Sequence, residues 1–183
     1  MRVELIYHPA SPPRLIEGLS VCLSVQARFL WLNYEVRHRG GLLLSDKQGR
    51  QDRLWNSTCF ELFAREAGAA GYIEFNFAPF AAWAAYRFTG RRSGMEALAG
   101  IDPPHLVDGR LEARAAEIDS HYEFAATVAR EGILAGRPRI GLSAIVEEKD
   151  GTKSYWALRH PPGDPDFHHP DCFALELPAP DGA

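Results

Sequence analysis

Apolar and polar residues alternate with a period of two along most of this chain, and turn-forming residues break the alternation every few positions. Leu19, Val21, Leu23 and Val25 alternate with Ser20, Ser24 and Gln26. In the next run Leu30, Leu32, Tyr34 and Val36 alternate with Trp31, Asn33 and Glu35. Phe60 and Leu62 oppose Cys59, Glu61 and Phe63, and Ile73, Phe75 and Phe77 oppose Tyr72, Glu74 and Asn76. A third run over 83–88 completes an expected meander. Further runs lie at 111–117, 122–129, 140–147, 154–158 and 172–177, and Lys149-Asp150-Gly151-Thr152 reads as a hairpin turn.

A half-buried strand has one apolar face to cover, so about ten short strands with close turns predict an all-β, two-sheet antiparallel β-sandwich, jelly-roll or immunoglobulin-like. The 183 residues suit one domain over 1–183, and no linker or internal repeat divides them. Two segments interrupt the pattern. Residues 89–105 are rich in Gly, Arg and Pro, and 159–171 contain four prolines. Irregular segments of this length in a compact domain often carry function.

Charge and cysteine content narrow the setting. A formal net charge of −4 offers no general field for phosphate backbones, so nucleic acid is not an expected partner. No apolar run approaches the length of a membrane span, and the first residues lack the apolar core of a secretory signal. Cys22, Cys59 and Cys172 each sit in an apolar run and are odd in number. That pattern reads as free, structural thiols in a reducing, cytoplasmic location.

Two constellations depart from what folding alone would choose. In the meander, Glu61, Glu74, Asn76 and Arg87 occupy positions where a buried strand would carry aliphatics, and strand parity adds Trp83 to their face. Aromatic surface beside carboxylate, amide and guanidinium groups suits a sugar, whose C–H face stacks while its hydroxyls hydrogen-bond. The same pattern is also that of a solvated sheet surface with ordinary ion pairs. The second constellation is the 159–171 segment, with Arg159, His160, His168 and His169 among Asp164, Asp166 and Asp171. The metal candidates are Asp164, Asp166, His168, His169 and Asp171, for calcium or zinc, although their spacing matches neither a zinc finger nor an EF-hand. Turn-capping by these side chains is the simpler reading. No Gly-rich phosphate loop, nucleophile elbow, His-Glu-x-x-His helix or Cys-x-x-Cys pair is present, so no enzymatic activity is expected.

The stretch Leu54-Trp55-Asn56-Ser57-Thr58-Cys59-Phe60-Glu61-Leu62-Phe63, followed by Tyr72-Ile73-Glu74-Phe75-Asn76-Phe77-Ala78-Pro79, resembles the bacterial DOMON-like proteins, which are related to family 9 carbohydrate-binding modules. The closing Ser154-Tyr155-Trp156-Ala157-Leu158-Arg159-His160 and Pro165-Asp166-Phe167-His168-His169-Pro170-Asp171-Cys172-Phe173 add to the likeness. The resemblance implies a β-sandwich whose relatives bind sugars or haem without catalysis. It also implies Trp55 and Trp156 as stacking residues. Relatives that bind haem use a Met and a His, whereas the one methionine here beyond Met1 is Met95, in an irregular segment; haem is therefore not expected, and no other cofactor is.

The expected function is non-catalytic binding of a carbohydrate or other small polar ligand by Trp55, Glu61, Asn76, Trp83, Arg87, Trp156, Arg159, His160, His168 and His169. The alternatives are a protein-interaction or scaffold domain, a metal-dependent hydrolase built on the histidine segment, and a haem-binding domain.

Overall fold

A computed structural model describes residues 1–108, 120–130 and 137–179; the sequence run at 111–117 lies outside the described residues. Thirteen strands are present among them. In chain order they are β1 Arg2–Tyr7, β2 Ile16–Val25, β3 Phe29–His38, β4 Gly49–Arg50, β5 Cys59–Arg65, β6 Tyr72–Ala78 and β7 Ala82–Phe88. Then follow β8 Glu96–Ala97, β9 His105–Asp108, β10 Ser120–Ala129, β11 Arg139–Glu147, β12 Lys153–Ala157 and β13 Leu175–Glu176.

These strands form one curled, mixed sheet, which corrects the expectation of a two-sheet antiparallel sandwich, whether jelly-roll or immunoglobulin-like. Its order is β4-β7-β6-β5-β11-β12-β1-β2-β3-β10-β9, with β13 paired to β11 and β8 to β7. Strand β1 makes the difference. Arg2 to Leu5 pair with β2, and the next two residues, Ile6 and Tyr7, pair with Ala157 and Trp156 of β12, so one hydrogen-bonded ladder runs through both limbs. The sheet is mixed because β4 runs parallel to β7. The alternation in Arg2-Val3-Glu4-Leu5 is as regular as that of its neighbours, but nothing in it discloses two different pairing partners.

The curl folds the sheet onto its own apolar face. Leu19, Val21, Leu30, Leu32, Tyr34 and Val36 from one limb meet Phe60, Leu62, Phe75, Phe77, Leu142 and Ala144 from the other in a single buried cluster. Phe60 lies 4.8 Å from the Tyr34 ring and 5.1 Å from Phe124, centroid to centroid. Tyr34 is fully buried, and its hydroxyl is satisfied by donating to the Glu61 carbonyl across the limbs at 2.8 Å.

Limb β7-β6-β5-β11-β12 is buried on its other face as well. There Cys59, Phe63, Tyr72, Tyr86, Phe88, Ile145 and Ala157 form a second cluster with Phe167 and Phe173, which arrive from the segment after β12. Gly141 permits this cover to settle on β11, because a Cβ there would stand 2.9 Å from the Cys172 carbonyl oxygen. The hairpin expected at 149–152 joins β11 to β12, with Gly151 at φ 87° and the Glu148 N–H donating to the Thr152 carbonyl. Cys22, Cys59 and Cys172 are all free thiols.

Candidate functional site

The polar residues of β5 and β6 lie on the covered face, between sheet and segment. Register sets Asn76 directly opposite Glu61 and Ser143 opposite Glu61 on its other side, so an amide, a carboxyl and a hydroxyl form one row across three strands. Glu74 stands opposite Phe63, diagonal to Glu61, within the reach of side chains on adjacent strands. Both glutamates are 3% exposed.

Their hydrogen bonds are sparse. Ser143 Oγ donates to Glu61 Oε2 at 2.8 Å, and Asn76 Nδ2 donates to Glu74 Oε1 at 2.6 Å. Glu74 Oε2 is buried with no hydrogen-bond partner. Burial first, and the neighbouring Glu74 second, push the Glu61 carboxyl up to about 8, while burial pushes Glu74 up to about 7. The Cys59 thiol, which donates to Asn76 Oδ1 at 3.5 Å, is likewise pushed well up by burial and then by the two glutamates.

His168 reaches the row from the covering segment. Its Nδ1 lies 2.6 Å from the Tyr72 hydroxyl and 3.9 Å from Glu74 Oε2. The Tyr72 oxygen also accepts the Arg92 backbone N–H at 3.2 Å. Burial, with the Arg92 charge behind it, lowers the His168 pKa to about 4, so the ring is neutral at physiological pH. Aromatic packing against Phe63, Tyr72 and Phe88 fixes its orientation. The segment itself is tied down through Asp166, which accepts from Arg91 Nε at 2.8 Å, from Arg92 Nε at 3.0 Å and from the His168 backbone N–H at 3.1 Å.

Between sheet and segment lies a cavity of about 590 Å³. Glu61, Glu74 and Ile145 contribute from the sheet; Pro165, Phe167 and His168 contribute from the segment. Trp55 and Asn56, on a short 3-10 helix over Leu54–Asn56, border it together with Phe88, Arg92, Met95, Lys153 and Tyr155. Trp55 is held by an edge-on contact with Tyr86, whose hydroxyl donates to Asp52 at 2.7 Å. The cavity therefore combines aromatic walls with two carboxyls that accept one side-chain hydrogen bond each.

Of the residues singled out in the sequence, Trp55, Glu61 and His168 line this cavity and Asn76 braces Glu74 behind it. Two were placed on the wrong face: Arg87 pairs with Ile73 and Trp83 with Phe77, both on the opposite parity to Glu74. Arg87 is exposed, and Trp83 is buried in the core beneath the Arg50 guanidinium, 5.0 Å from its ring centroid. Trp156 is also a core residue, its Nε1 donating to Ser154 Oγ at 2.8 Å. Arg159 is exposed, and its carbonyl accepts from the Cys172 thiol. His160 Nε2 is bonded to the Ile6 carbonyl at 2.8 Å, and His169 Nδ1 accepts from the Asp171 N–H. His169 thus caps the 3-10 turn Pro170–Cys172, as the turn-capping reading expects, whereas His160 ties the segment to β1 instead.

The metal candidates do not converge: Asp166 is engaged by Arg91 and Arg92, and Asp164 and Asp171 are exposed. Among the described residues no group of three or more His, Cys, Asp or Glu is placed to hold a metal ion, and no helix is long and apolar enough to cross a membrane.

Sequence reasoning missed Tyr72, Arg92, Ser143, Lys153 and Tyr155. A small hydroxyl at an otherwise apolar β11 position was a readable signal for Ser143, and the parity opposite Trp156 was one for Tyr155. Arg92 stood out only as part of the Arg91-Arg92 basic pair in a Gly-rich stretch, and nothing linked that pair to this site.

No family model matches the chain, and no curated protein does. Its fold is similar to that of a candidate carbohydrate-binding protein from Bacteroides uniformis, with a TM-score of 0.68 at 14% identity, covering 94% of this chain and 83% of that one.

Proposed function

We propose that this protein binds a carbohydrate or a similarly small polar ligand in the cavity beneath the 159–173 segment, without transforming it. The observation that carries this reading is the meeting, in one cavity, of the Trp55, Tyr155 and Phe167 rings with Glu61 and Glu74, each of which accepts one side-chain hydrogen bond, Glu74 Oε2 being left buried without a partner. A sugar stacks its C–H face on such rings and supplies donors to such carboxyls. The fold shared with the Bacteroides uniformis protein supports the reading, and so do the motifs that suggest a DOMON-like relative of family 9 carbohydrate-binding modules.

Titration calorimetry against a panel of mono- and disaccharides tests it. Saturable binding that weakens roughly three- to tenfold in Trp55→Ala and Tyr155→Ala is expected, from the loss of one stacking surface each. If no saccharide binds, or if neither substitution alters binding, the reading fails.

A further inference from the structure

The floor of the cavity is short of positive charge and of donors, and this narrows the class of ligand. Glu61 and Glu74 present four carboxyl oxygens, to which the described residues supply two donors, Ser143 Oγ and Asn76 Nδ2. The cations nearby are hydrogen-bonded elsewhere, although the Arg92 charge still acts on both glutamates and offsets part of the effect of burial. Arg92 Nε is bonded to Asp166, and Lys153 donates to the Asn56 carbonyl and stands 3.8 Å from Glu147. His168 turns its Nδ1 to Tyr72 and carries no charge at neutral pH.

Two carboxylates buried side by side are expensive unless something compensates them, so without a countercharge the pair holds protons near neutrality. Neutral hydroxyls could hydrogen-bond these acids but would not make their ionisation favourable. A cation would, and the aromatic walls reward the same charge through their ring faces. Resting on the binding site assigned above, we propose that the ligand carries a protonated amine, seated between Glu61 and Glu74 with its carbon skeleton against Trp55 and Tyr155. For a carbohydrate ligand this means an amino sugar with its amine free. Because the carboxyls hold protons near neutrality, such a ligand would release protons from the protein as it binds.

Calorimetry with four probes separates this inference from the reading beneath it: the glucosamine disaccharide, its N-acetylated counterpart, cellobiose, and cyclohexylamine as an amine that is not a sugar. The free-amine disaccharide is expected to bind about tenfold or more tightly than the other two sugars, the scale of a charge-assisted hydrogen bond. Glu74→Gln and Glu61→Gln, near-isosteric and neutral, should each reduce that advantage, with circular dichroism confirming the fold. Equal or tighter binding of cellobiose or the acetylated sugar would overturn the amine inference and leave the carbohydrate reading standing. Glu74-dependent binding of cyclohexylamine with no binding of any sugar would uphold the amine and overturn the sugar. Failure of all four probes would overturn both.

Discussion

The buried pair Glu61 and Glu74 ties the site to stability in a direction opposite to that of most carboxylates. A carboxyl that the native state holds above its unfolded value keeps a proton that the unfolded chain has already released, so the native state loses stability as pH rises. For Glu61 the window runs from 4.5, the ordinary value, to about 8; for Glu74 it runs from 4.5 to about 7. At one pKa unit to about 1.4 kcal/mol, ionising Glu61 inside the fold costs roughly 4–5 kcal/mol, a large share of the stability of a domain this size. Replacement by glutamine keeps the Ser143 and Asn76 bonds and removes the charge. Urea denaturation of wild type and of the Glu61→Gln/Glu74→Gln variant at pH 5, 7 and 9 should give the smallest difference at pH 5. By pH 9, where both windows have been crossed, the variant should be ahead by several kcal/mol, more than the roughly 4–5 kcal/mol of Glu61 alone. A difference that stays constant from pH 5 to 9, or a variant that is less stable at pH 9, would refute the reasoning, since either result means that the carboxyls ionise at their ordinary values.

Asp166→Ala should free the covering segment from Arg91 and Arg92, with a stability loss of roughly 1–3 kcal/mol, because both guanidiniums are well over one-third exposed; ligand affinity should fall with it. Chemical denaturation and calorimetry on one preparation would check both effects, and an unchanged affinity would mean that the segment does not need this anchor. Arg87→Ala should change stability by less than about 0.5 kcal/mol and leave ligand binding untouched, as expected of an exposed residue facing away from the glutamates. Met95 and His168 border the same cavity, so haemin is the informative cofactor probe. No stoichiometric Soret band is expected, and one that disappears in Met95→Ala would reverse the expectation.

What the sequence conveyed, and what it withheld, follows from the range over which each signal acts. Alternation is a local property of one strand, so the runs around Leu19, Leu30, Phe60 and Phe75 were legible, as were the inner face of each and the meander of β5, β6 and β7. The relative parity of two strands is set by the turn between them. Of the three residues between β6 and β7, Pro79, Phe80 and Ala81, the last two hold positive φ, and the resulting register pairs Phe77 with Trp83. Counting along the meander without that register put Arg87 beside Glu74, when Tyr86 is the residue opposite. The continuity of the sheet through β1 is less local still, because it depends on β12, some 150 residues away along the chain, a separation no strand pattern encodes. The burial of Glu61 and Glu74 belongs to the same class. A polar residue at an outward position reads as solvated until a distant segment covers it, and here the cover rests on Gly141, Asp166 and two arginines, none of which carries a mark of that role in the sequence. The site is therefore a product of tertiary packing: the strands place the carboxyls, and a proline-rich segment, which by its own composition could have been an ordinary loop, turns them from surface charges into buried acids.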